Sequence, residues 1–269
     1  MVLNRCRVMG VLNITPDSFS DGGKFFGAEE AVARAWKIAE EGADLLDLGA
    51  ESTRPGAEGV SEDEERRRLW PVLEALALKK YPLPISLDSS KPSIVEKALR
   101  DRLVQIVNDV EGLRNPEMAG VVKKSGAPVV LMHMYGSPRT MQQDFRYGDV
   151  VADLIAFFRS RLAEAGLTDN VLIDPGIGFG KSVEHNLEIL RRLGEFHVLG
   201  RPILIGVSRK SFLGSILGTE VGQRLEGGLA CAVWAAVLGV AMLRVHDVRE
   251  TVQALKVTRA IVEGNPTPP

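Results

Sequence analysis

The chain has 269 residues, 45% of them hydrophobic and 25% charged, which excludes a disordered chain, a collagen-like fibre and a disulfide-stapled miniprotein. Lys and Arg number 33 against 35 Asp and Glu, for a net charge of −2, so the strongly basic footprint of a nucleic-acid binder is absent. The two cysteines, Cys6 and Cys231, stand far apart outside any C-x-x-C pattern and point to free thiols in a reducing, cytoplasmic compartment.

The N-terminal residues carry Arg5 and Arg7 but no long apolar run, so no signal peptide is expected. The first apolar run, residues 8–12, stops at Asn13. A glycine-punctuated stretch follows, and the spacing predicts a helix over 28–41. Residues 45–48 form the second run, followed by a loop over 49–59 and a charged helix starting near Ser61. Ser61 and Glu64 have the spacing of a capping box. The third run, 84–87, ends at Asp88, with a helix after Pro92. The fourth, 104–107, ends at Asn108 and Asp109, with a helix after Asn115 and Pro116. Runs at 128–132, 171–173, 203–207 and 241–245 complete the series, each followed by a helical pattern. Residues 227–243 carry no charge, but this stretch is short for a membrane span and is broken by Gly239. It predicts a buried helix and then a buried strand, with no membrane segment.

Eight strand-plus-helix units in one 1–269 domain are the arithmetic of an α/β, (β/α)8 TIM barrel. The strands are near-continuous apolar runs, as expected of a parallel sheet buried on both faces. Periodicity does not show closure, so an open doubly wound sheet is the alternative. Polar residues stand at or just beyond the strand ends: Asn13, Asp47, Asp88, Asn108, His133, Asp174, Lys210, Arg244 and His246. In a closed barrel these gather at the C-terminal mouth, where βα-loops build active sites.

The stretch Asn13-Ile-Thr-Pro-Asp-Ser-Phe-Ser-Asp-Gly-Gly23 resembles the first signature of the dihydropteroate synthases, and Glu51-Ser-Thr-Arg-Pro-Gly56, with Asp47 before it, resembles the second. Asp88-Ser-Ser-Lys-Pro92, Asn108-Asp109, Leu131-Met-His-Met134, Asp174-Pro-Gly-Ile-Gly-Phe-Gly-Lys181, Ser208-Arg-Lys-Ser211 and Arg244-Val-His-Asp247 match in order. Ser89 stands where that family often has Thr. The resemblance runs from about residue 8 to residue 250 and implies a barrel enzyme that joins p-aminobenzoate to 6-hydroxymethyl-7,8-dihydropterin pyrophosphate, with Mg2+ as cofactor.

The residue types suit that chemistry. A carboxylate accepts two parallel hydrogen bonds from the amino-pyrimidinone edge of a pterin. The resemblance gives that role to Asp174, with Asp88 and Asn108 completing the edge. Met132 would supply a polarizable wall, and Lys210 would bond the pterin carbonyl and ring nitrogen. Arg244 and His246, two apart at the end of the last strand, project to one side if the extended pattern persists. By resemblance they hold the diphosphate with Asn13 and Thr53, and Asn13 ligates Mg2+, which needs few protein oxygens beside phosphate and water. Phe19, Pro55 and Phe179 would clasp p-aminobenzoate, with Ser211 and the helix start after it meeting the carboxylate. Asp21, Arg54, Lys210 and Arg244 are then the residues that carry catalysis, Asp21 and Arg54 by positioning the first two loops, 13–27 and 49–59. Those loops are expected to close over the mouth once diphosphate and Mg2+ are bound, forming the p-aminobenzoate pocket last.

Two alternatives stand beside this reading. A pterin-dependent methyltransferase shares the pterin edge but lacks a diphosphate site, and a silent pterin-binding protein would be expected to lose Arg244, Lys210 or the loop motifs. The partners expected are small-molecule substrates and, by resemblance, a second copy of the chain. The apolar stretch at 230–238 suits either the core or that homodimer. His185 and His197 fall in surface segments and receive no role.

Overall fold

The computed structural model describes residues 6–14, 24–52, 59–136 and 146–264, with the backbone alone at 24–26. Among these residues, eight strands alternate with helices: β1 (Arg7–Asn13), α1 (Lys24–Glu40), β2 (Leu45–Gly49), α2 (Glu62–Leu78), β3 (Ile85–Asp88), α3 (Pro92–Arg100), β4 (Ile106–Asp109), α4 (Pro116–Ser125), β5 (Val129–Met132), α5 (Val150–Ala165), β6 (Val171–Asp174), α6 (Val183–Arg191), β7 (Leu204–Ile205), α7 (Ser211–Leu217), α8 (Leu225–Val237), β8 (Met242–Val245) and α9 (Val248–Glu263). Two helices, not one, follow β7. The α1 helix starts at Lys24, four residues before the position its apolar spacing indicates.

Every ladder is parallel, and the strand order runs from β6 back through β1 to β8 and β7. The two ends of that order meet, because Ile173 of β6 bridges Ile203 just before β7, and the Ile173 N–H donates to the Pro202 carbonyl at 3.0 Å. The sheet therefore closes, and the open doubly wound alternative falls. Helices pack outside it. At Gly10 of β1, a Cβ would lie 2.4 Å from Ile38 of α1, so the glycine sets how closely that helix approaches.

Side chains alternate across a strand with a period of two. One apolar group, Met9, Leu45, Val130, Leu204 and Met242 with Ile106 and Leu172 against it, packs apart from the large core between sheet and helices and plugs the barrel interior. Two residues further along five of those strands stand Asp47, Asn108, Met132, Asp174 and Arg244. They share the inward face with the plug and sit one layer nearer the mouth. In β3, Asp88 pairs in register with Asn108 on one side and Gly49 on the other, and Gly49 pairs with Asn13.

Two local expectations need correction. The Ser61 hydroxyl does accept the Glu64 N–H at 3.2 Å, but the Glu64 carboxylate turns to Arg67 and Arg68 instead of completing a capping box. Two guanidinium groups one turn away outcompete a single backbone N–H. The uncharged stretch at 227–243 does split into α8 and β8, with Gly239 at φ +85° between them. That helix is only partly buried, however: among its residues Ala232, Ala235 and Ala236 are buried, and Trp234 is 49% exposed.

Candidate active site

The inward layer above the plug is a network of buried charges. Arg244 of β8 donates from Nε to Asp47 Oδ2 and from Nη2 to Asp88 Oδ2, each at 2.7 Å. Asp47 also accepts the Asn108 amide at 3.2 and 3.3 Å. Four strands are thus tied by side chains inside the barrel. Gly49 makes room for this, since a Cβ there would press on the Asp88 side chain at 3.2 Å. Burial pushes the Asp88 carboxyl up to about 7 against the pull of Arg244, and Asp47 adds to the rise. Burial opposes the charge on Arg244 as well, but Asp47 and Asp88 carry it above the ordinary guanidinium range.

Asp174 ends β6 in the same layer and is buried. Its Oδ1 accepts the Gly176 N–H at 2.8 Å, the turn device that Asp-Pro-Gly encodes, so one oxygen shapes the loop while the other remains for a ligand. Burial raises its carboxyl, opposed by that N–H and by Lys210, Arg244 and Lys181. Gly176 is at φ +71°, and a Cβ there would lie 1.9 Å from the His133 carbonyl oxygen. Lys210 places its Nζ 3.9 Å from the centre of the Phe179 ring, and burial together with Arg244 pushes its ammonium down to about 8. Phe179 packs with Val110, Met132 and Met134 into a small apolar wall beside the charges.

At the other side of the mouth, β8 ends at Val245, and the His246 ring approaches the Ser208 hydroxyl through Nδ1 at 3.1 Å. Burial, with Arg244 and Arg209 nearby, pushes His246 down to about 3, so the ring is neutral. Arg209 pairs with Asp247 at 2.5 Å. Asp109, although buried, is engaged in a turn: its oxygens accept the N–H groups of Glu111 at 3.1 Å and Leu113 at 2.6 Å.

The structure brings Asp88, Asn108, Met132, Asp174, Phe179, Lys210 and Arg244 together at the C-terminal ends of the strands, with Asn13 at the end of β1, His246 after β8 and Ser211 at the exposed start of α7. Phe179 falls beside Met132 and under Lys210, on the wall formed by residues expected to hold the pterin. Phe19, Asp21, Thr53, Arg54 and Pro55 lie outside the described residues, as do most of the two loops that carry them. Among the described residues, no group of three or more His, Cys, Asp or Glu could hold a metal ion. The site also holds residues to which the motifs assign no role: Asp47, His133, Lys181 and Ser208. For Asp47 a signal existed, because it stands two residues after Leu45 on the plug-facing side of β2. His133 carried one too, standing just beyond the end of β5, whereas Lys181 and Ser208 join the site only through contacts made in the folded chain.

A family model described as "Pterin binding enzyme" matches residues 9–246. The Escherichia coli (strain K12) dihydropteroate synthase is 45% identical over 266 residues, covering 97% of this chain and 94% of the relative. A solved structure of Xanthomonas albilineans dihydropteroate synthase with 4-aminobenzoic acid superposes with a TM-score of 0.89 at 46% identity, covering 97% and 94% of the two chains. Another from that organism, in complex with 7,8-dihydropteroate, gives 0.86 at 42% identity, covering 97% and 95%.

Proposed function

The chain belongs to the pterin binding enzyme family, among its dihydropteroate synthases, and from that premise we propose how its residues share the reaction. It condenses 6-hydroxymethyl-7,8-dihydropterin pyrophosphate with p-aminobenzoate to give 7,8-dihydropteroate and pyrophosphate. The observation that carries the assignment of roles is the Asp47–Arg244–Asp88 network set one layer above an apolar plug and beside Asp174 and Lys210.

In this reading the free oxygen of Asp174 and the Asn108 amide oxygen receive the pterin's amino-pyrimidinone edge, while Met132 and the Phe179 wall flank the ring. Asp88, held in place by Arg244, completes the polar edge. Lys210, half-buried and attracted by Asp174, donates to the ring carbonyl and nitrogen. The C–O bond to the diphosphate breaks first and its electron pair leaves with pyrophosphate, because the electron-rich dihydropterin supports positive charge at the methylene. The buried carboxylates face that charge, and the amine of p-aminobenzoate then forms the new C–N bond and releases a proton. Arg244 Nε and Nη2 are committed to Asp47 and Asp88, which aims the remaining guanidinium edge at the departing diphosphate, with His246 and Thr53 beside it. The p-aminobenzoate ring lies between Phe179 and loop residues Phe19 and Pro55, its carboxylate at Ser211, and Asp21 and Arg54 position the loops.

The donor set fits Mg2+ bound mainly through substrate. Asn13 offers a single amide oxygen at the end of β1, and Mg2+ takes few protein oxygens when phosphate oxygens and waters fill the rest. When bound there, Mg2+ would neutralise the diphosphate as charge builds on it.

A homodimer fits the surface: on α7, α8 and α9, Leu217, Trp234, Val257 and Ile261 are 47%, 49%, 61% and 74% exposed. No helix among the described residues is long and apolar enough to cross a membrane. The two free cysteines support a reducing cytoplasm as the compartment.

Incubation with the pterin pyrophosphate, p-aminobenzoate and Mg2+ is expected to release pyrophosphate only when all three are present. Pterin binding without release would identify a silent binding protein instead, and sedimentation as a single chain would remove the dimer.

A further inference from the structure

Behind the Asp174 turn lies a buried cation that none of the steps above uses. Lys181 is 4% exposed, and its Nζ donates to the Phe179 carbonyl at 3.0 Å and to His133 Nδ1 at 3.1 Å. The His133 ring packs edge-on against Phe157, with centroids 4.7 Å apart, and burial pushes its imidazole down to about 2, so the ring is neutral and Nδ1 accepts. The His133 N–H donates to the Asp174 carbonyl at 2.9 Å. On its third side the ammonium faces Gly176, where a Cβ would come within 3.4 Å of Nζ. Gly176 is the residue whose N–H holds Asp174 Oδ1.

Both hydrogen-bond partners of Lys181 are therefore neutral, and among the described residues it forms no ion pair. An ammonium buried among neutral groups is costly unless an anion compensates it. Of the charged groups facing Lys181, Asp174 on β6 is the anion, while Lys210 after β7 and Arg114 after β4 repel it. Asp174 in turn is faced by Lys210, Arg244 and Lys181.

We infer that Lys181 is a positioning residue: its charge, set behind the Asp174 turn and tied to the Phe179 carbonyl and His133, keeps Asp174 ionised with one oxygen turned to the pterin. This rests on the reading of Asp174 as the pterin carboxylate. Removing the Lys181 charge leaves burial less opposed and raises the Asp174 carboxyl further. Pterin affinity then fails at a higher pH on the acid side. Burial pushes Lys181 itself down to about 7, so its charge matters below neutrality and fades above it.

The test is calorimetric titration with 6-hydroxymethylpterin near pH 6 and pH 8 for the wild type, Lys181→Gln, Lys181→Met and Asp174→Asn. Gln keeps a donor for the Phe179 carbonyl without the charge, and Met serves if Gln fails to fold. Both Lys181 variants are expected to bind within about twofold of wild type near pH 8 and roughly three- to tenfold more weakly near pH 6, with the acid limb of binding displaced upward. A merely structural role would leave the pH profile of Lys181→Gln where the wild type has it, and that result overturns the inference. If Asp174→Asn binds as the wild type does at both pH values, the reading of Asp174 itself has failed. Loss of binding in Asp174→Asn with an unmoved limb in both Lys181 variants sinks the inference alone.

Discussion

Replacing Asp47 by Asn removes one charge from the buried network while keeping its shape. Asp47 is fully buried, accepts Arg244 Nε at 2.7 Å and takes the Asn108 amide on both oxygens. A hydrogen bond to a charged group contributes roughly 1.5–3 kcal/mol, and a neutral one about 1 kcal/mol. Orphaning a buried charge altogether costs about 3–5 kcal/mol, but Arg244 retains Asp88 at 2.7 Å, so that upper range is not reached. The expected loss of stability is therefore about 3 kcal/mol, with turnover down about ten- to hundredfold as the guanidinium shifts. In an Arg244→Met background the sign of the argument changes. Asp47 and Asp88 then face each other without the guanidinium between them, and Asp47→Asn relieves repulsion instead of breaking an ion pair. Urea unfolding of the wild type, both single variants and the double variant measures the coupling, expected at about 2 kcal/mol or more. Effects that add to within about 0.5 kcal/mol would refute the network as an energetic unit.

Arg244→Lys keeps the charge but loses the planar fork that reaches two aspartates at once, so turnover should fall about ten- to hundredfold; normal steady-state kinetics would reduce Arg244 to a simple positive charge. Gly176→Ala forces a left-handed residue and a Cβ at 1.9 Å from the His133 carbonyl oxygen, and roughly 3 kcal/mol or more should be lost in denaturant unfolding. A melting temperature equal to that of the wild type would show that the turn is not so closely packed. His133 is held neutral, down to about 2 from 6.5, so below pH 6.5 only the unfolded chain takes its proton and stability is lost as pH falls. His133→Asn lacks that penalty, and its stability deficit against the wild type should shrink by up to about 1.4 kcal/mol per pH unit between pH 6.5 and 5. A constant deficit across that range would mean that His133 titrates normally in the folded chain.

Local chemistry determined the elements. Eight apolar runs, each ended by a polar residue, are enough to place eight strands, because a strand buried on both faces is built mostly of apolar residues. The period of two also placed the inward layer: Asn108 follows Ile106, Asp174 follows Leu172 and Arg244 follows Met242, so a plug residue and a site residue share one face of each strand. Only the tertiary structure decided what those residues meet. Closure depends on the bridge between Ile173 and Ile203, and no periodicity carries a hydrogen bond between the first and last members of a sheet order. One partner of Arg244 is Asp47, 197 positions earlier in the chain, and the other is Asp88; both pairings exist because the barrel brings the ends of β2, β3 and β8 together. Glu64 chose Arg67 and Arg68 over the cap, and α8 kept Trp234 at the surface, since each outcome is a competition among neighbours that arrive only with folding. Lys181 is the plainest case. Its sequence neighbours mark it as part of a loop motif, and only the converging backbones of β5 and β6 bury its charge behind Asp174.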